Sequence, residues 1–217
     1  ITVEYVKGVE RLCRKYGALL VFDEVVTGFR IGMAGAQGYF GVSPDLTIFG
    51  KVIAGGYPGA GGIGGKREYM KYLGAGLDSS GKKIHKALVG GTMTANPLSC
   101  CAGYFTLEEI ERTNACQKAG QMGDRICAGL KELVKKHGLP FVVWNTGSIC
   151  HLETVGTMHY QINWKKPWEI PAILGETGIR QKEMEHMGAA YMAEGLVTLA
   201  GSRLYTSAAY TPKMIDQ

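Results

Sequence analysis

The sequence predicts an α/β fold, and three observations carry the prediction. Residues 2–16 repeat apolar side chains at helical spacing. Residues 18–26 form a continuous apolar run broken only by Asp23 and Glu24, the pattern of a buried strand in a parallel sheet. Helical and strand-like segments then alternate to the end of the chain, as in layered α/β proteins.

The elements follow in order. Val3, Val6, Val9 and Leu12-Cys13 mark the first helix, with basic residues late in the segment and Gly17 as its stop. Residues 18–26 are the first strand, "PDLTIFG" (44–50) is the second, and "GGIGG" (61–65) ends a third. Residues 74–90 read as a polar, mobile loop. A helix is expected over 96–111, with Pro97 in its first turn. Another is expected over 115–137, where Met122, Ile126, Leu130, Leu133 and Val134 recur at helical spacing. Residues 141–155 read as strand–turn–strand, 171–194 as mostly helix, and "LVTLAG" (196–201) as strand-like. The predicted boundary lies near 112–120. It gives one domain over 1–114 and a smaller α/β domain over 115–217.

Composition narrows the function. The 217 residues are 46% hydrophobic and 20% charged, which is globular usage. The 32 glycines are about twice the usual share, and many fall in 50–65, where unusual backbone or close approach to a ligand is expected. Net charge is +5, but Lys82-Lys83 and Lys135-Lys136 are too short to form a nucleic-acid patch. Cys13, Cys100, Cys101, Cys116, Cys127 and Cys150 include no CxxC pair, so neither a zinc site nor a disulfide framework is expected. Reduced thiols and a cytoplasmic setting fit best. No stretch is long and apolar enough to cross a bilayer, and the first residues lack a signal-peptide core. The chain opens without an initiator Met inside a helical pattern, so it is expected to be a fragment.

Two motifs compete in the glycine-rich region. Gly59, Gly61 and Gly64 satisfy GxGxxG, and Asp78 follows at a suitable distance, but Pro58 precedes the motif and only a short charged segment follows it. The other is centred on Lys51, between Gly50 and "VIAGG". Flanked by Phe49, Val52 and Ile53, this amine is expected to be partly desolvated, which lowers an amine pKa and suits Schiff-base chemistry; a surface lysine is the plain alternative. Asp23 favours the first of these. Pyridoxal phosphate needs a lysine for its aldehyde and an acid opposite its pyridine nitrogen. An aspartate at the C-terminal end of a strand lies where ligands bind in open α/β sheets. Val25, two residues on, is expected to share its face.

"LLVFDEVVTGFR", "AQGYFGVSPDLTIFGKVIAGGYP", "GGKREYM" and "GTMTANPLSCCAGYFTLEEIE" together resemble class III aminotransferases, of fold type I among pyridoxal-phosphate enzymes. The resemblance is specific over about residues 2–111. It implies that residues 1–114 are the C-terminal part of a cofactor-binding large domain with a mainly parallel sheet, and that 115–217 are the small C-terminal domain. It implies pyridoxal 5′-phosphate as cofactor. Lys51 becomes the Schiff-base lysine and proton shuttle, Asp23 the partner of the pyridinium nitrogen, Val25 a contact to the ring face, and Thr92 a ligand of the cofactor phosphate of a neighbouring subunit. Asn96-Pro97, Glu24 and Arg30 become scaffold. The expected reaction is transfer or migration of an amino group on a small amino substrate by a homodimer.

Departures from the family leave alternatives open. The family is about twice this length, and its N-terminal half is absent here. The chain is therefore alternatively a non-catalytic fragment, or one subunit of a split enzyme that needs an N-terminal partner chain. Val26 stands where many members carry Gln, as in aminomutase-like members; Tyr205 stands where those members have an acid; and 74–90 is longer than theirs. Racemisation and elimination share the same carbanion and stay open. His85, His137, His151, His159 and His186 show no metal-ligand spacing and read as surface or satisfied residues. Trp144, Trp164 and Trp168 read as packing residues, and Arg203 as a surface ion pair or a fork for a substrate carboxylate.

Overall fold

A computed structural model describes residues 1–74, 76–139, 141–153, 165–199 and 201–217, without the side chains of Ile173 and 176–182. His159 and Trp164 lie outside the described residues. The chain divides into two compact units, Ile1–Ala115 and Cys116–Gln217.

In the first unit, helix α1 (Val3–Tyr16) starts where the Thr2 side chain accepts the Tyr5 N–H at 3.2 Å. It stops at Gly17, whose φ of 65° needs no Cβ. Strands β1 (Val21–Asp23) and β2 (Leu46–Phe49) pair in parallel, with Asp23 opposite Ile48. Strand β3 (Gly62–Gly65) pairs antiparallel with β2, so the order is β1-β2-β3. Helices α2 (Gly35–Phe40), α3 (Arg67–Met70) and α4 (Pro97–Thr113) complete the unit. Asn96 caps α4 by accepting from Leu98 N–H at 3.0 Å and Ser99 N–H at 3.3 Å.

The expected burial of 18–26 is not found. The strand spans three residues, and Val21 keeps 47% of its surface exposed. The reason is topological: among the described residues β1 is an edge strand of this sheet, with a strand paired on one flank only. What is buried here is largely polar. Asp45, 1% exposed, receives Lys66 Nζ at 2.6 Å, Arg14 Nη1 at 2.6 and 2.8 Å, and the Leu20 N–H at 2.8 Å. One carboxylate thus ties the end of α1, the approach to β1 and the residue before α3. These bonds, with Lys66 foremost, hold its carboxyl well below the usual carboxylate range.

The GxGxxG reading does not survive. Gly62–Gly65 is a strand bonded to Leu46–Phe49, where the fingerprint requires a turn opening a helix. Asp78 instead closes a local turn, accepting from Ser80 and the Lys82 N–H. Across the described residues of 74–90 the only regular pairing is one bridge, Leu77 to Lys83.

The second unit is built on helix α5 (Ala115–His137), which begins at the junction, and an antiparallel sheet of order β4-β5-β6. Its strands are Val142–Thr146, Ile149–Glu153 and Arg203–Tyr205. Helices α6 (Ile170–Ala193) and α7 (Pro212–Asp216) follow the second and third strands. The core is apolar: Cys127, Val143, Cys150, Leu152 and Leu204 are buried, with Ile126, Leu130, Val134, Phe141 and Tyr191 packed against them.

The third strand lies at 203–205 and not at 196–201. Gly201, at φ 71°, lets the chain turn, and Leu199 and Arg203 exchange backbone hydrogen bonds at 2.8 and 3.1 Å. A Cβ on Gly201 would sit 2.0 Å from the Met184 carbonyl oxygen on α6, so the turn is set by a close helix contact. Such a constraint has no trace in local hydropathy.

Candidate functional site

The two adjacent acids of "FDEV" have separate environments. Glu24 is 1% exposed, takes the Ala36 and Gln37 N–H groups at 2.9 Å each, and accepts the Thr27 hydroxyl. It anchors the start of α2 to the end of β1. Gly35 (φ 58°) makes room for it, since a Cβ there would lie 2.6 Å from Glu24 Oε2. Asp23 is exposed, and among the described residues its one hydrogen-bond partner is the Val25 N–H, at 2.9 Å to Oδ1. The chain therefore leaves the strand at Asp23 in a turn. Val25 lies in that turn, beyond the strand. The turn brings it to the next strand: a Cβ on Gly50 would meet Val25 Cγ1 at 3.2 Å.

Lys51 follows directly. It is the first residue of a 3-10 turn, Lys51–Ala54, at the C-terminal end of β2. Its φ of 50° lies in the left-handed region, which costs a non-glycine residue about 1 kcal/mol or more. Gly55, at the other end of the turn, is also left-handed, at φ 58°. Lys51 is exposed, contrary to the expected desolvation. Its apolar neighbours are drawn elsewhere: Ile53 is held between Gly62 and Gly103, where added Cβ atoms would meet Ile53 Cδ1 at 3.3 Å and the Ile53 carbonyl oxygen at 1.9 Å. Among the described residues no ion pair engages Lys51 or Asp23.

Asp23, Val25 and Lys51 thus share the C-terminal end of the one parallel strand pair, where strands are about 4.8 Å apart. A cleft of about 630 Å³ beside Arg67, Lys71 and Asp78 and another of about 410 Å³ beside Phe29, Met33 and Val42 include neither Asp23 nor Lys51. The free amine and carboxylate stand outside both clefts, and the chemistry of the donor pair is the better guide. Thr92 is exposed in the turn before α4, a turn closed by the Thr94 N–H to Gly91 carbonyl bond at 3.0 Å. Its neighbour Met93 packs on Gly59. No contact within the chain joins Thr92 to Asp23 or Lys51 among the described residues. Sequence reasoning placed Lys51 directly after Gly50 but passed over Gly103.

In the second unit, His151 stacks on Trp144 with ring centroids 3.9 Å apart and planes 7° apart. Burial pushes its pKa down, against the opposing pull of Glu153, whose Oε1 lies 3.5 Å from Nδ1. Arg203 is exposed opposite His151 in the register, and Trp168 is 70% exposed. Among the described residues, no group of three or more His, Cys, Asp or Glu could hold a metal ion, and no helix is long and apolar enough to cross a membrane.

Comparison with known proteins places this geometry. Glutamate-1-semialdehyde 2,1-aminomutase of Legionella pneumophila (strain Paris) is 40% identical over 147 residues, covering 68% of this chain and 32% of the relative. Glutamate-1-semialdehyde 2,1-aminomutase 2 of Brevibacillus brevis is 34% identical over 219 residues, covering 98% of this chain and 46% of the relative. The chain therefore spans about a third to a half of the length of these curated relatives. An omega-transaminase from Sphaerobacter thermophilus superposes with a TM-score of 0.76 at 25% identity over 99% of this chain and 45% of its own. A transaminase with PLP bound does so at 0.75 and 23% identity, over 98% and 45%. The fold is that of fold type I transaminases. The family model described as aminotransferase class-III matches residues 1–200, and with that match the chain belongs to the class III aminotransferases.

Proposed function

We propose that this chain carries the lysine and acid half of a pyridoxal-phosphate site that transfers or migrates an amino group on a small amino substrate. The observation that supports the reading best is the placement of Lys51 and Asp23 on adjacent ends of the parallel pair, both exposed and neither consumed by an internal ion pair. Class III aminotransferases use pyridoxal 5′-phosphate, and these residues fit its needs: an amine for the aldehyde and a carboxylate for the ring nitrogen. When bound, the cofactor supplies an electron sink for charge developing at the carbon that bears the amino group. Lys51 Nζ would hold the aldehyde group and, when free, would move a proton at the substrate carbon as general acid and base. Asp23 keeps a proton at the ring nitrogen; its Oδ1 is oriented by the Val25 N–H. Val25 supplies an apolar side to the ring. Thr92 serves the phosphate across a homodimer interface, a role consistent with its exposed turn.

A second reading is favoured by the same exposure. The site is completed by a further segment or partner chain, which covers Asp23 and Lys51 and restores the water-excluded setting that proton transfer at carbon requires. One measurement separates the readings. Borohydride reduction of the chain with pyridoxal phosphate, followed by peptide mass spectrometry, is expected to find the cofactor on Lys51. Lys51→Ala is expected to lose that adduct and the absorbance band near the visible edge. Label spread evenly over surface lysines would sink the first reading. Recovery of Lys51 selectivity on adding a chain with the N-terminal half would establish the second.

A further inference from the structure

We propose that α4 acts as the positioning support of Lys51, with Gly103 and Ser99 as positioning residues. The inference rests on Lys51 being the amine that holds the cofactor. The turn that carries Lys51 does not simply lie near α4; the two backbones touch. A Cβ on Gly103 would fall 1.9 Å from the Ile53 carbonyl oxygen and 3.0 Å from its carbon. A Cβ on Gly55, at the other end of the turn, would fall 2.5 Å from the Ala102 carbonyl carbon. Two glycines, one from each side, therefore permit a contact that any other residue would push apart.

A hydrogen bond fixes the same contact further along. Ser99 is 2% exposed, and its hydroxyl donates to the Pro58 carbonyl oxygen at 2.7 Å. Ser99, Ala102 and Gly103 are three and four residues apart, so they form one face of α4, and that face meets residues 53–58. Asn96 caps the helix one residue before its first turn, holding the N-terminal end of this face in register. Lys51 sits at the head of the supported segment in a left-handed conformation that a free loop would not keep. Its backbone has two further restraints, Val25 on Gly50 and Ile53 on Gly62. α4 supplies the third side. A shift of the turn would displace the Lys51 backbone relative to the end of β1 that carries Asp23.

The test uses the full 217-residue chain with pyridoxal phosphate and borohydride. It reads label on Lys51 relative to Lys135, an exposed lysine on α5, together with hydrogen exchange of the 53–57 amides. Gly103→Ala is expected to lower the Lys51 ratio by about tenfold or more, since a displacement near 1 Å can cost a hundredfold in reactivity. Exchange at 53–57 should rise while α5 is unchanged. Ser99→Ala is expected to lower the ratio about fivefold, the worth of one hydrogen bond, and Ser99→Thr to restore it. A variant that merely loses stability would leave the ratio intact in its folded fraction. Where Gly103→Ala does not fold, the Ser99 pair decides. A Lys51 ratio that survives the substitutions in folded protein overturns the positioning role alone. No preference for Lys51 in the unsubstituted chain, either alone or with a chain carrying the N-terminal half added, overturns the cofactor reading and this proposal together.

Discussion

Both units bury polar groups, Ser148, Glu153, Ser202 and Thr206 among those of the second, but they differ in apolar packing. In the second, five apolar or thiol side chains from one helix and three strands close on each other. In the first, the most deeply buried side chains include Glu24, Asp45 and Ser99, while Val21, Ile48 and Ile63 on its strands stay 40% exposed or more. The second unit closes an apolar cluster, while the sheet edge of the first is fixed by hydrogen bonds and ion pairs. The polar anchors all lie in segments that hold the edge carrying Asp23 and Lys51: Glu24 follows the acid, Asp45 precedes β2, and Ser99 supports the turn after it. Directional bonds locate backbone to within tenths of an ångström, which a cofactor site requires and a generic core does not.

The comparison breaks first at Leu152. This side chain is 6% exposed in the apolar core, and Leu152→Ala is expected to destabilise the second unit by about 3 kcal/mol. Val21→Ala, on the half-open sheet of the first, should cost less than about 1 kcal/mol. The readout is convenient, because Trp144, Trp164 and Trp168 all belong to the second unit and tryptophan fluorescence therefore reports it selectively. Equal losses at the two positions would remove the distinction.

Asp45→Ala comes next. It leaves the Leu20 N–H without its acceptor and frees two cations. Because Arg14 and Lys66 are each 40% exposed, water screens them, and the expected loss is about 2 kcal/mol, less than for a fully enclosed ion pair. Hydrogen exchange of β1 and β2 amides checks it, with tryptophan fluorescence unmoved. Urea denaturation followed by both probes would show which unit yields.

Acid separates the units again. Asp45 has a folded pKa below its unfolded value, so its contribution is complete above about pH 3.9, the unfolded carboxyl range, and is lost as pH falls beneath it. His151 also has a folded pKa below its unfolded value, because burial disfavours its charge. Its unfolded form binds the proton first, so stability in the second unit falls as pH drops below about 6.5. Glu153 and Arg203 face the same imidazole with opposite effects, which keeps the slope gentle. On acidification, tryptophan-reported stability is expected to decline before exchange protection at β1 and β2 does. His151→Gln should flatten the first decline and Asp45→Asn the second; a reversed order would contradict the assignment.

These contrasts also explain what could be read from residues alone. The stop of α1 and the start of α4 were legible because Gly17 and Asn96-Pro97 act on their own neighbours. The strand-end positions of Asp23 and Lys51 were legible because each follows an apolar run. The path between them was not. Val25 reaches Gly50 through a turn whose geometry depends on a strand 25 residues later, and the exposure of Lys51 follows from Ile53 packing on Gly62 and Gly103. The misplacement of the last strand has the same origin, since Gly201 turns against α6. Hydropathy records which residues prefer burial. It does not record which backbones must touch.

The smallest effect expected is a gain. Of the glycines in α5, Gly123 would drive a Cβ to 2.3 Å from the Gly147 carbonyl oxygen, whereas Gly129 is exposed and has nothing within 4 Å. Glycine at an exposed helix interior costs about 0.5–1 kcal/mol relative to alanine, chiefly through freedom it retains in the unfolded chain. Gly129→Ala should therefore raise the stability of the second unit by about that amount, read as a higher urea midpoint by tryptophan fluorescence at unchanged slope. If the two units unfold independently, exchange at β1 and β2 stays as it was. If protection there rises in step, the units melt as one body, and the contrast between them is one of construction only, not of separate stability.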